Sequence, residues 1–126
     1  MSITLRRLTK DDVVFTLKVE PEDLPPEGNV LVSGDDEQDA EAVKDVTDRL
    51  NAGNIWAWCQ VTILANWSGF CGKEVLGCCS YTNQEEFIQG DYYAPMLDEA
   101  LADLNRTLAS TLKTLSALIV VAHGAR

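Results

Sequence analysis

The sequence predicts an α+β domain: a three-stranded antiparallel sheet, in the order strand-helix-strand-strand-helix, with its helices packed on one face as a second layer. Three observations carry this. Residues 12–20, DVVFTLKVE, alternate apolar and polar with a period of two. Two further apolar runs, IWAWCQVTILA and VLGCCSY, flank the glycine-containing stretch NWSGFCGK, which suits a hairpin. From Leu97 to Ile119, leucine or isoleucine recurs every third or fourth position, which is helical spacing.

Each element follows in turn. In the first strand Phe15, Leu17 and Val19 share one face with Val13, while Val14, Thr16, Lys18 and Glu20 share the other. The segment PEDLPPEGN holds three of the four prolines and cannot continue a ladder, so it is a connection. A helix is expected from Ser33 or Asp35, whose side chains can accept from the first free amides. Ala40, Val43, Val46 and Leu50 form its narrow apolar stripe, and Asn51 and Gly53 end it. A second strand over 55–65 places Ile55, Ala57, Cys59, Val61 and Ile63 toward the core, and Trp56, Trp58, Gln60, Thr62 and Leu64 on the opposite face. A short helical turn capped by Thr82 or Asn83 stops at Gly90, and a long helix starts near Asp91 with Pro95 in its first turn.

The 126 residues fit one domain, 1–126, with one hydrophobic core. Ten basic against twenty acidic side chains leave a formal charge of −10, which argues against direct binding to nucleic acid or to an anionic membrane and leaves a basic protein or nucleoprotein complex as the partner class. MSITLRRLTK lacks the apolar stretch of a secretory signal, and the apolar run Ala117 to Ala122 falls short of the roughly 20 residues of a membrane helix. A cytoplasmic location in a bacterial host cell is the expectation. Cys59, Cys71, Cys78 and Cys79 are then thiols, with Cys71 in the hairpin loop the most exposed. No CxxC pair or calcium-loop spacing is present, so no metal and no cofactor are expected. The single histidine, His123, lies in the terminal AHGAR without a nucleophile elbow, and a non-enzymatic role is expected.

Charge and aromatics supply the candidate site. Residues 11–48 carry thirteen acids against Lys18 and Lys44, while both ends of the chain are basic. Asp35, Asp36, Glu37, Asp39 and Glu41 are the expected partner-binding residues, because concentrated carboxylates steer a cationic partner. Trp56 and Trp58 either join them as an exposed aromatic contact or lie under the C-terminal helix or a second subunit. The alternative function is a homodimeric structural or accessory protein that pairs through the leucine stripe from Leu97 to Ile119.

The motifs GNIWAWC, EVLGCCSY, GDYY and MLDEALADLN, in a chain matched from Asp12 to Asn105, resemble a group of small acidic proteins of bacteriophages and bacterial mobile elements. That resemblance implies an inhibitor of host defence, of the anti-restriction or anti-CRISPR type, which occupies a basic surface meant for nucleic acid.

Overall fold

The computed structural model describes residues 5–119. Strands β1 (Val14–Pro21), β2 (Cys59–Trp67) and β3 (Phe70–Cys79) form one antiparallel sheet in the order β1-β2-β3. Helix α1 (Asp36–Asn51) lies between β1 and β2 in the chain, and α2 (Gln84–Gln89) and α3 (Tyr93–Ser116) follow β3. The α+β class and the strand order are those the sequence predicts.

The central strand sets the core. Cys59, Val61, Ile63 and Ala65 are completely or almost completely buried, and their cross-strand partners Val19, Leu17 and Phe15 on β1 share the same face. The opposite face carries Thr16, Lys18, Gln60, Thr62 and Asn66. The β2–β3 turn is tighter than the glycine-containing stretch suggests. Only Ser68 and Gly69 separate the strands, at φ of 48° and 83°, the positive pair that a two-residue turn matched to strand twist requires. Cys71 therefore sits in β3 and not in a loop.

β2 also begins later than its apolar run. Ile55–Ala57 form a 3-10 turn, because the Asn54 side chain accepts from the Trp56 amide at 3.1 Å and starts a helical cap where alternation predicts a strand. Cap chemistry overrides the period-two pattern there. In α1 the cap is Asp35, whose Oδ1 accepts from the Glu37 and Gln38 amides at 3.1 and 3.2 Å. Val46 is the buried anchor of its stripe, Val43 and Leu50 are half-buried, and Ala40 faces solvent. α1 packs mainly beside the 55–57 turn at one end of the sheet.

α3 covers the core face and crosses β3 at Gly72. A Cβ there would run into the Ala100 carbonyl oxygen and the Leu104 amide nitrogen and lie 2.7 Å from Leu104 Cβ. Glycine lets the helix backbone approach the sheet directly. Asp103 reinforces the crossing: its Oδ2 accepts from the Lys73 amide on β3 at 2.8 Å. Met96, Ala100 and Leu104 are buried, and Leu97, Leu101 and Leu108 pack beside them. The leucine stripe is thus not one free seam. Its first half belongs to the protein's own core, and from Lys113 to Ile119 every residue is exposed.

The N-terminal arm is tied down by a side-chain amide. Asn105 Oδ1 accepts from the Leu8 amide at 2.9 Å and its Nδ2 donates to the Leu8 carbonyl at 3.1 Å, and Leu8 itself is buried. Arg6 makes two bonds to Asp12, at 3.0 and 3.2 Å. With the Thr9 amide adding its bond, the guanidinium holds the Asp12 carboxyl down to about 2.

Because the α3 crossing leaves no room for a methyl group, Gly72→Ala is expected to destabilise the fold by about 3 kcal/mol. Chemical denaturation followed by circular dichroism would show this as a lowered midpoint, and an unchanged midpoint would refute the close crossing.

Candidate functional site

The five predicted acids fall on the first turns of α1, where carboxylates are favoured by the positive end of the helix dipole. They divide into two kinds. Asp35 is the cap, and Asp39 accepts from the Ser33 hydroxyl at 2.7 Å and the Ser33 amide at 3.1 Å, so both carboxylates serve the local fold. Asp36, Glu37 and Glu41 are exposed and form no ion pair among the described residues.

Helical spacing aligns Glu37, Glu41 and Asp45 at successive four-residue steps on the face opposite Val43 and Val46. The cations of this helix lie toward its C-terminal end. Lys44 binds Asp48 at 2.8 Å, and Arg49 lies 3.4 Å from Asp45 while its guanidinium also reaches the Tyr81 carbonyl. The loop after β1 brings exposed Asp23 and Glu27 to the same end of the molecule, since Leu24 in that loop accepts the indole N–H of Trp58 at 2.7 Å. Glu22 is occupied differently: it accepts from the Cys78 amide at 2.6 Å, and this bond with that of the Leu24 amide holds its carboxyl below the usual range.

Trp56 and Trp58 correct the expectation of an exposed aromatic contact. They are 9% and 3% exposed. The 55–57 turn lifts both out of strand register. Trp56 then packs against Phe87 of α2, with ring centroids 5.8 Å apart, and meets Tyr81 edge-on at 6.4 Å. Trp58 lies under the loop after β1. Trp56 belongs to the same buried cluster as Met96, Ala100 and Leu104 of the C-terminal helix. The two tryptophans support the acidic helix from below through α1's packing on the turn, and they offer no surface to a partner.

The cysteines also divide. Cys59 and Cys79 are buried cross-strand partners, and Cys71 and Cys78 are exposed. Contact with the Cys79 side chain, aided by burial, pushes the Cys59 thiol up. Cys78 sits in a bulge at φ 54°, a break in strand geometry that alternation does not signal. Local desolvation and the Glu22 carboxylate push its thiol up, away from nucleophilic character. Among the described residues, no three His, Cys, Asp or Glu side chains converge as a metal site would require. His123 and the tail after Ile119 lie outside the described residues.

A cavity lies at the other end of the sheet. A groove of about 670 Å³ runs between the N-terminal arm, the second half of α3 and Trp67 at the hairpin, and Arg6, Arg7 and Arg106 line it with apolar side chains. Among the described residues that line it there is no carboxylate. Sequence reading noted the basic ends but not that the fold brings them together.

No helix among the described residues is long and apolar enough to cross a membrane. No protein-family model matches the chain, and comparison with curated proteins and with solved structures finds no match to it.

The division of the acids has a measurable consequence. Asp35→Ala should cost about 1 kcal/mol of stability through the lost cap, whereas Glu41→Gln should stay within about 0.5 kcal/mol of the parent. Urea denaturation of the two variants checks this, and an equal loss in both would contradict the assignment of Glu41 to a free surface.

Proposed function

We propose that the protein is a non-enzymatic acidic binding protein that docks on the cationic, nucleic-acid-binding surface of a bacterial host complex, as an inhibitor of the anti-restriction or anti-CRISPR type. The observation that carries this reading is the exposed carboxylate row at the start of α1, where Asp36, Glu37 and Glu41 have no basic partner among the described residues. Hydration alone is served as well by mixed charges. Glu37, Glu41 and Asp45 instead repeat one sign at four-residue spacing, an arrangement that costs an isolated helix roughly 0.2–0.5 kcal/mol per pair.

A cationic channel that binds nucleic acid gains affinity by releasing condensed counterions. Carboxylates fixed on a helix satisfy the same lysines and arginines and compete for that surface. The neighbouring Asp23 and Glu27 widen the negative field, and the enclosed tryptophans keep the helix seated.

The test is capture from bacterial lysate at low salt, followed by competition with duplex DNA. DNA is expected to displace the captured complex, and binding should fall steeply between about 50 and 200 mM salt. The triple substitution Asp36→Asn, Glu37→Gln, Glu41→Gln should weaken binding about tenfold without lowering stability. Capture of only non-basic partners, or affinity indifferent to salt, would refute the reading.

A further inference from the structure

We propose that the groove at the hairpin end binds an acidic amphipathic helix of a partner protein. After its crossing at Gly72, α3 carries Leu108, Leu112 and Leu115 at spacings of four and three, the interval of a helix-pairing seam. That seam has no complete cover within the described residues: Leu115 is 50% exposed. Leu5 and Leu8 of the arm form one wall of the groove and Trp67 closes its end. An apolar trough beside a leucine row takes the apolar face of a helix, with side chains seated at helical intervals.

The rim decides the kind of helix. Among the described residues, every charged side chain that lines the groove is an arginine: Arg6, Arg7 and Arg106. Arg6 holds Asp12 at 3.0 Å and Arg106 holds Asp103 at 3.6 Å, and Arg7 forms no ion pair among the described residues. A guanidinium carries five N–H donors, so one carboxylate leaves Arg6 and Arg106 further donors. Beyond Asp103 the sequence has no acidic residue, so a second copy presenting this same face would set arginines against arginines. A helix with leucines on one side and carboxylates along its flanks fits both the floor and the rim.

The groove is also remote from the acidic helix. α1 packs before the start of β2, and Trp67 ends that strand, about 27 Å away along it. The two surfaces can therefore be occupied independently, and this inference does not rest on the function proposed for α1.

The experiment uses the full chain and two synthetic peptides, each of four helical turns with leucines at four-three-four spacing. One carries glutamate at its remaining surface positions and the other lysine. Binding is read by calorimetry and by emission of Trp67, the one exposed tryptophan beside the buried Trp56 and Trp58. The glutamate peptide is expected to bind one to one and about tenfold or more tighter than the lysine peptide. Arg7→Glu should weaken it about tenfold and Leu115→Asp should abolish it, while both variants keep the parent thermal midpoint. The triple α1 substitution should leave peptide binding unchanged. Equal affinity for the two peptides, or undiminished binding to Leu115→Asp, would overturn the proposal. So would a dimer of the protein alone at about 50 μM that Leu115→Asp disperses, since a second copy would then hold the seam.

Discussion

The contact between the α3 backbone and Gly72 governs the arrangement of the whole molecule. A helix laid on a sheet normally stands off by the thickness of its side chains, roughly 10 Å between axis and sheet. Here a missing Cβ lets Ala100 and Leu104 come down onto β3, and Asp103 closes the contact with a bond to the Lys73 amide. Once the helix is fixed at that point, its leucines before and after it have different fates. Those near the crossing complete the core with Val61 and Ile63, and those beyond it overhang the hairpin and build the wall of a groove.

Charge follows the same division. The acidic helix α1 is seated on the aromatic cluster of Trp56, Tyr81 and Phe87 at one end, and the arginines of the arm and of α3 meet at the other. Many carboxylates are not available for a partner, because they cap helices, hold amides in the bulge or pair with cations. Asp35, Asp39, Glu22, Asp12 and Asp103 are all of this kind. Among the described residues, exposed carboxylates without an ion pair include Asp36, Glu37 and Glu41 on α1, and also Asp11, Glu20, Asp23, Glu27, Glu85, Glu86, Asp91 and Glu99 elsewhere.

Much of the fold was legible because periodicity is written locally. The alternation of Phe15, Leu17 and Val19, the Asp35 cap, the Asn83 cap and the long leucine repeat all appear as expected. What could not be read depends on a single backbone feature or on distant partners. The run at Ile55–Ala57 alternates like a strand, yet Asn54 turns it into a helical cap, and that one bond moves Trp56 and Trp58 from surface to interior. The Cys78 bulge and the role of Gly72 carry no periodic signature. For the site, the acidic segment was legible from composition, but which of its acids are free was not, because Ser33 and the capped amides claim two of the five. The groove was invisible, since Leu5–Leu8 and Ala102–Leu115 lie at opposite ends of the chain and come together only on folding, where Asn105 bonds the Leu8 backbone.

α3 is one helix with two environments, anchored at Gly72 and, among the described residues, exposed from Lys113 onward. Amide hydrogen exchange along α3 tests this most directly. Amides from Ala100 to Leu108 are expected to exchange only with global unfolding, and those from Leu112 to Ser116 through far easier local opening. Uniform protection along the whole helix would mean that its far half already has a packing partner, and the account would be wrong.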